Sequence, residues 1–356
     1  MTFMQPTPTL VRDGDAVVIL DQRRLPFHTE RCRLESLEAV ATAITTMQVR
    51  GAPLIGATAA FGVAIALHTD ASDARLAHAL ATLAGTRPTA VNLHWALGRM
   101  RERLEGLSED FRHEAAWEEA QAIACSDFET CAAIGHFGVE LLQNLAQRRS
   151  GQVRVMTHCN AGWLATMGAG TALAPVYEAM ARDIPVHVLV SETRPRNQGL
   201  LTQWELARAG VPHTLIADNA AGLLIARTEV DIVITGADRV AANGDTANKI
   251  GTYLKALAAF DHDVPFYIAA PLSTVDFSCR AGEEIPIEER DGDEVLTFTG
   301  MDERGQPGRL RLAPAETRVA NPAFDITPAR LISGIITEYG ICAATALDSM
   351  RTNPPV

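Results

Sequence analysis

Cysteine is scarce and unpatterned. The six Cys residues, at 32, 125, 131, 159, 279 and 342, form no C-x-x-C pair and no regular framework. That spacing argues against both a disulfide scaffold and a thiolate zinc site, and reduced thiols are expected. No H-E-x-x-H and no run of clustered His points to a metal, so no metal ligands are expected. Positive charge is also short, with 31 Lys and Arg against 43 Asp and Glu, a net charge of −12. A nucleic-acid partner needs a basic face to meet its phosphates, so none is expected. A small phosphorylated ligand held by a few local cations remains compatible with this balance. No apolar run reaches the roughly 20 residues of a membrane span, and the opening residues MTFMQPTPTLVRDGD lack the basic-then-apolar signal pattern. No membrane partner and a cytoplasmic protein are expected. Gly168-Ala169-Gly170 begins like a dinucleotide fingerprint, but the third glycine position holds Leu173, and there is no G-x-x-x-x-G-K-[ST]. No cofactor is therefore expected.

What is present suits a globular protein of one large or two ordinary domains, since 47% of its residues are hydrophobic. Residues 10–35 read as short strands, Val17–Leu20 and Cys32–Leu34 among them. The pattern then turns helical up to about residue 145. SLEAVATAITTMQ opens on Ser36 with Glu38 behind it. Residues 57–68 look buried, a segment ending at Gly85 has a normal helix stop, and residues 113–146 give one long helix or two. Around Gln147 to Gly151 the pattern changes. Strands at 153–157, 185–190, 213–217, 230–235 and 264–269 alternate with helical stretches near 171–182, 198–209, 219–226 and 248–260. That alternation is the signature of an α/β fold with a doubly wound parallel sheet. Domains at 1–145 and 146–356 are expected. Residues 283–320 are acidic and weakly patterned and read as an inserted loop or hairpin. Thr327, Pro328 and Gly340 mark the cap, first turn and stop of a last helix.

The chain is organised around Val230 to Phe260. An apolar β-branched run ends at Thr235-Gly236-Ala237-Asp238, which places a carboxylate at the C-terminal edge of a strand, where open α/β sheets bind ligands. Asp245 is then expected to cap a helix whose buried face is Ile250, Tyr253, Leu254 and Leu257. Asn248 and Lys249 would lie in its first turn, where N–H groups and the helix dipole favour an anion such as phosphate. The plainer alternative is a strand–loop–helix with a surface Lys.

Other candidates come in pairs of readings. Cys159, just past a strand in Thr157-His158-Cys159-Asn160-Ala161-Gly162, is either activated by backbone dipoles or an inert buried thiol. Asp238 is either a general acid kept protonated by apolar surroundings or a loop carboxylate capping a neighbour. Arg50, Gly51 and Ala52 precede a buried helix, and Arg87 precedes another. They are either a charge clamp with close backbone approach or inter-helix turns. Glu192 and Arg194 are candidates to pair with each other, and Gln198, at the start of a helix, can donate to an oxygen.

Six stretches carry a resemblance across nearly the whole chain: RGAPLIGATAAFG (50–62), RPTAVNLHWAL (87–97), THCNAGWLAT (157–166), SETRPRNQG (191–199), ITGADRVAANGDTANKIGTY (234–253) and NPAFDITPARLISGIITEYG (321–340). In them the chain resembles the methylthioribose-1-phosphate isomerases of methionine salvage. The resemblance implies a helical N-terminal domain on a Rossmann-like C-terminal domain, a homodimer, and a metal-independent aldose-to-ketose conversion that keeps the phosphate on C1. By motif position it implies Cys159 and Asp238 as the catalytic pair, and Arg50, Gly51, Ala52, Arg87, Gln198, Asn248 and Lys249 as substrate contacts. The nearer alternatives are isomerases of 5-deoxyribose 1-phosphate or ribose 1,5-bisphosphate. The second substrate would need another cationic site, and the sequence offers none clearly. The regulatory subunits of the translation-initiation exchange factor share the superfamily without needing the full residue set. Two departures from the resemblance stand out. Residues 293–320 look longer than the usual link and are read as a surface elaboration. Trp163 and Met167 replace smaller residues behind Cys159 and are expected to reshape the pocket around the sugar's 5-substituent.

Overall fold

The computed structural model describes residues 7–148 and 151–352. Residues 1–6, part of the stretch used for the N-terminal targeting reading, and residues 149–150, where the sequence pattern changes, lie outside the described residues. So do residues 353–356.

The chain opens with an antiparallel meander, β1 (Leu10–Asp13), β2 (Ala16–Leu20) and β3 (Arg31–Leu34). Ser36 then caps α1 (Leu37–Thr45), its Oγ accepting the Ala39 N–H at 3.1 Å. Next come α2 (Ala52–Ala66), α3 (Asp73–Ala84), α4 (Val91–Leu104) and α5 (Glu109–Arg148), the last a single continuous helix. The sequence of α2, APLIGATAAFGVAIA, is small and apolar all round. A helix with no polar face must be enclosed, and α2 is buried from Leu54 to Ala66 among the other helices. The first half of α5, through Ala124, belongs to the core around α2. Its second half, with Ile134, Val139 and Leu142, belongs to the core of the following sheet.

That sheet is assembled by β4 (Val153–Thr157), α6 (Ala174–Ala181), β5 (Val186–Ser191), α7 (Gly199–Ala209), β6 (His213–Ile216), α8 (Ala221–Ala226) and β7 (Ile232–Thr235). After β8 (Arg239–Ala241) and β9 (Thr246–Lys249) the chain continues through α9 (Thr252–Asp261), β10 (Phe266–Ala269), β11 (Val275–Asp276), α10 (Asp293–Leu296), β12 (Thr297–Met301), β13 (Pro307–Arg311), β14 (Phe324–Thr327), β15 (Gly334–Thr337), β16 (Gly340–Cys342) and α11 (Leu347–Thr352). The main sheet runs β16-β15-β10-β7-β4-β5-β6. All its pairs are parallel except that of β15 with β16. Counted in order of appearance, its six parallel strands lie 3-2-1-4-5-6, the doubly wound Rossmann order. The order reverses between β4 and β7. A small mixed sheet, β11-β8-β9-β14, and the β12–β13 hairpin complete the chain.

Three expectations are overturned here. Asn248 and Lys249 are not in a helical first turn. They lie on β9, paired antiparallel with β14, and α9 starts only after Gly251, whose φ of +100° turns the chain. Asp245 does not cap α9. That task falls to Asp325 on β14, which accepts the Gly251 N–H at 2.7 Å and the Tyr253 N–H at 3.1 Å. The register of α9 shifts accordingly: Thr252, Lys255, Ala256 and Ala259 are buried, and Leu254 is exposed. The stretch after Thr327 is β15 and β16 instead of a helix, because Gly334–Thr337 pairs in parallel with β10 and β16 folds back to close the edge of the main sheet. Residues 283–320 do contain a hairpin, as expected.

Asp245 instead ties three loops together. Oδ1 accepts the Ala329 N–H at 2.8 Å, and Oδ2 accepts the Gly282 N–H at 3.0 Å and Asn243 Nδ2–H at 2.8 Å. Burial pushes its pKa up, but these donors outweigh burial and hold it below the ordinary carboxylate value of 3.8. Its stabilisation is thus present above that value and lost as the pH falls through the lowered one. Asp245→Ala should destabilise the protein by about 2–4 kcal/mol at neutral pH, the size expected for charge-assisted bonds whose donors are left unmet. Urea unfolding should show the gap to the parent protein closing below pH 4.

Candidate functional site

The strand reversal fixes where a ligand can sit. At the point where neighbouring strands connect in opposite directions, the loops after them part and leave a crevice at their C-terminal ends. The loop after β4 carries Cys159 and the loop after β7 carries Asp238. Both side chains open on one cavity, which is also lined by Arg50, Gly51, Ala52, Arg87, Gln198, Asn248 and Lys249. All nine residues singled out from the sequence therefore meet in one place, drawn from the helical layer, the main sheet and the small sheet.

Cys159 is held in a conformation that costs energy for a non-glycine residue, with φ of +65°. Its backbone N–H donates to Thr193 Oγ1 at 2.9 Å, and its carbonyl accepts from Thr202 Oγ1 at 2.7 Å. Behind it lies the fully buried Glu205 of α7. Its carboxylate accepts Asn160 Nδ2–H at 2.5 Å, the Trp163 N–H at 2.7 Å and Tyr177 Oη–H at 3.1 Å. Gly162 passes so close that a Cβ would overlap Glu205. Burial drives Glu205 up to about 7 against these donors. Nothing in the spacing of the sequence marked Glu205 as a partner of this loop, because the pairing spans some forty residues and exists only after folding.

Burial also sets the chemistry of the two candidate reacting groups. It pushes the Cys159 thiol up to about 11, helped by the nearby Asp238 carboxyl and opposed by Lys249 and Arg50. The Asp238 carboxyl is raised by burial, against the pull of Lys249 and Arg87. No described residue donates a hydrogen bond to it. Each group therefore tends toward its protonated form. His158 is no base for Cys159. Burial, followed by the Lys255 charge, lowers it to about 3, and its Nε2–H donates to the Ile250 carbonyl at 2.8 Å.

Around these groups stand cations with no carboxylate within ion-pair distance among the described residues: Arg50, Arg87 and Lys249. Burial lowers Arg50 to about 10, which leaves it charged at neutral pH. Lys249 is only 9% exposed; its Nζ donates to the Ala323 carbonyl at 2.6 Å and lies 4.5 Å over the Phe324 ring. Two ammonium protons remain for a ligand. Gly51, with φ of +91°, packs so tightly on Ala165 that any Cβ would collide, and it presents the N-terminus of α2 to the cavity. That terminus supplies the outward N–H groups expected of a helix containing Asn248 and Lys249. A helix N-terminus therefore does open on the cavity, but it is that of α2 and not of α9. Gln198 Oε1 is buried without a protein partner.

Other readings change. Arg196 and Arg290 line the same cavity although the sequence did not single them out. Ile285, Pro286 and Arg290, which precede the 293–320 segment, form part of the cavity wall, while no residue of 293–320, the β12–β13 hairpin included, lines this cavity. Trp163 and Met167 do not face this cavity. Trp163 stacks on Tyr177 with ring centroids 5.6 Å apart, and both residues line a separate apolar groove beside α5 and α6. Arg194 does not pair with Glu192: its guanidinium donates to the carbonyls of Pro195 and Val295. Far from the cavity, His68 Nδ1 and His113 Nε2 lie 3.2 Å apart beside Asp15, a cluster invisible in the sequence. The Trp117 indole N–H already donates to His113 Nε2 at 3.1 Å.

Residues 48–344 match the model of the initiation factor 2 subunit family. The chain is similar to the methylthioribose-1-phosphate isomerase of Dechloromonas aromatica, with 60% identity over 96% of this chain and 94% of the relative. It is 56% identical to that of Gluconobacter oxydans, over 94% and 92%. Among solved structures, the 5-methylthioribose 1-phosphate isomerase of Pyrococcus horikoshii matches with a TM-score of 0.86 and 38% identity, covering 98% of this chain and 97% of that one. The translation initiation factor eIF-2B subunit delta from A. fulgidus matches with a TM-score of 0.79 and 36% identity, over 96% and 98%.

The raised thiol has a direct readout. Cys159 should alkylate slowly with iodoacetamide near neutral pH, well behind the exposed Cys125, and its rate should still be rising above pH 9. Peptide mass spectrometry of each cysteine across a pH series checks this. Rapid alkylation of Cys159 with a plateau below pH 8 would contradict the burial argument.

Proposed function

The chain belongs to the initiation factor 2 subunit family, among its methylthioribose-1-phosphate isomerases, and we propose that it converts 5-methylthioribose 1-phosphate into 5-methylthioribulose 1-phosphate in methionine salvage. The observation that carries this reading is the meeting of Cys159 and Asp238 across the strand reversal, in a cavity ringed by cations that lack carboxylate partners.

The chemistry explains why both groups are needed. A phosphate on the anomeric oxygen prevents the sugar from opening to a free aldehyde. The C1–O4 bond must break with its electrons going to O4, which takes a proton. Asp238, kept toward its acid form by burial, supplies that proton. The electron-poor C1 then receives hydrogen from C2, and the C2 hydroxyl gives up its proton, which returns to the Asp238 carboxylate. Atoms balance, and no external oxidant or base is consumed. A thiol near pKa 11 is a weak proton acceptor in its resting form. Cys159 is therefore read as a neutral, polarisable group flanking a 1,2-hydride shift. Arg50, Arg87, Lys249 and the N–H groups at Gly51 and Ala52 hold the phosphate, with Gln198 and Asn248 directed at sugar oxygens. The further reading of the chain as a cytoplasmic homodimer is the one its resemblance in sequence motifs implies. Among described residues no helix is long and apolar enough to cross a membrane.

The cavity also carries apolar side chains, Met47, Ile285 and Phe324. A methylthio group on such a surface is worth about 1–3 kcal/mol over a bare methyl, so 5-deoxyribose 1-phosphate should be a slower second substrate.

NMR of turnover in deuterated water tests the assignment. The expected product is a ketose 1-phosphate with no deuterium at C1, whereas solvent deuterium at C1 would replace the hydride shift by proton transfer through an enediol. Absence of turnover of any 1-phosphosugar by folded protein would move the assignment to a regulatory subunit. Asp238→Asn should lower kcat by about 100- to 10,000-fold, the range of general acid catalysis. The parent enzyme should lose kcat as the pH rises through the Asp238 pKa, and the variant should lack that limb.

A further inference from the structure

Three guanidinium groups on the cavity wall are paired with carboxylates: Arg239 with Asp276 at 3.5 Å, and Arg196 and Arg290, which share one partner. Arg196 and Arg290 line the same cavity as Cys159 and Asp238, yet both are bound to carboxylates. Glu294, on α10, receives both: its Oε1 accepts from Arg196 Nη1 at 2.7 Å and from Arg290 Nη2 at 2.8 Å. Arg290 Nε reaches both Glu294 oxygens at 3.1 Å, and Arg290 Nη1 donates to Glu288 Oε1 at 2.8 Å. Two cations thus face two anions, and the group is neutral. Arg50, Arg87 and Lys249 have no such partners among the described residues. Glu294 is itself fixed. Asn321 Nδ2–H donates to its Oε2 at 3.3 Å, and the next residue, Val295, accepts Arg194 Nη2–H at 3.1 Å through its carbonyl.

We propose that Glu294 is a specificity-determining residue: by holding Arg196 and Arg290 in ion pairs it denies the cavity a second phosphate site, so that the enzyme takes sugar 1-monophosphates with an uncharged 5-substituent and rejects 1,5-bisphosphates. The inference rests on reading the cavity as a 1-phosphosugar site. A phosphate dianion needs cations free to approach it, and guanidinium groups bind carboxylate and phosphate through the same fork of N–H donors. An incoming 5-phosphate meets guanidinium groups whose charge is already matched: Arg290 has its fork on Glu294, and Arg196 gives Nη1–H to the same carboxylate, so the cluster offers no net positive charge to a second dianion. The neighbouring Ile285 and Pro286 leave an uncharged 5-substituent an apolar surface.

The test compares the parent enzyme with Glu294→Gln and Glu294→Asp. Calorimetry gives Kd, and NMR turnover gives kcat and KM, for 5-methylthioribose 1-phosphate and ribose 1,5-bisphosphate. Glu294→Gln should shift the ratio of kcat/KM toward the bisphosphate by at least tenfold, about 1.4 kcal/mol. The gain should lie in the KM and Kd of the bisphosphate. Glu294→Asp, which keeps the charge, should return the ratio toward that of the parent. An unmoved ratio, or an equal loss for both sugars, would overturn the proposal and leave Glu294 a structural support. So would a parent enzyme that already binds the bisphosphate as tightly as the monophosphate. If the parent turned over neither sugar, the isomerase reading would fail separately, and the Kd ratios would still decide whether Glu294 excludes a second phosphate.

Discussion

Desolvation governs this protein's cavity. Arg50 and Lys249 are cations enclosed by protein with no carboxylate within ion-pair distance among the described residues. Burying an unpaired charge is costly, and a folded chain retains it only when the rest of the structure outweighs the cost or a ligand will complete the pair. The same enclosure raises Asp238 and Cys159. One physical effect therefore makes the cavity attractive to an anion and shifts two potential proton donors toward their protonated forms. A solvent-filled cleft with the same residues would have left Asp238 nearer its ordinary value and screened the cations.

The rest of the architecture holds that enclosure in place. The strand reversal opens the crevice between the loops that follow β4 and β7. The enclosed helix α2 brings its N-terminus and Gly51 against Ala165, closing the cavity from the side of the helical layer. Cys159 stays at a positive φ because its own backbone groups are pinned by Thr193 and Thr202, and because Glu205 gathers the donors of the loop beyond it. Strain of this kind persists where neighbouring bonds over-determine the backbone. On the remaining wall, the segment after Gly282 contributes apolar side chains and a neutral cluster of arginines and glutamates. The cavity is thus cationic in one part and charge-balanced in another.

Much of this was legible along the chain because it depends on local patterns. The alternation of apolar strands and helices after residue 150 implied the parallel sheet, and each strand's end residues pointed to one rim. The residues bearing the resemblance, from Arg50 to Lys249, do meet in one cavity. Errors fell where local signals were shared by two outcomes. Thr327-Pro328 with Gly340 is a good helix frame, but Gly334–Thr337 pairs in parallel with β10. Asn248 and Lys249 stand two and one residues before Ile250, close enough to the periodic segment to be read as its first turn. Their pairing with Phe324–Thr327, some seventy residues later, drew them into a strand instead.

The sequence by itself determined the fold class, the place of Cys159 and Asp238 at strand ends, and the supply of cations, because hydrophobic periodicity and strand-end chemistry act over a few residues. Only the tertiary structure decided which helix presents its N-terminus to the cavity, that Asp325 and not Asp245 caps α9, and that Glu205 and Glu294 hold groups far from them in the chain. Those outcomes depend on which distant segments come to lie within hydrogen-bond reach. The desolvation that shifts Asp238 and Cys159 is likewise a property of enclosure, which exists only once sheet, helices and loops have closed around the site.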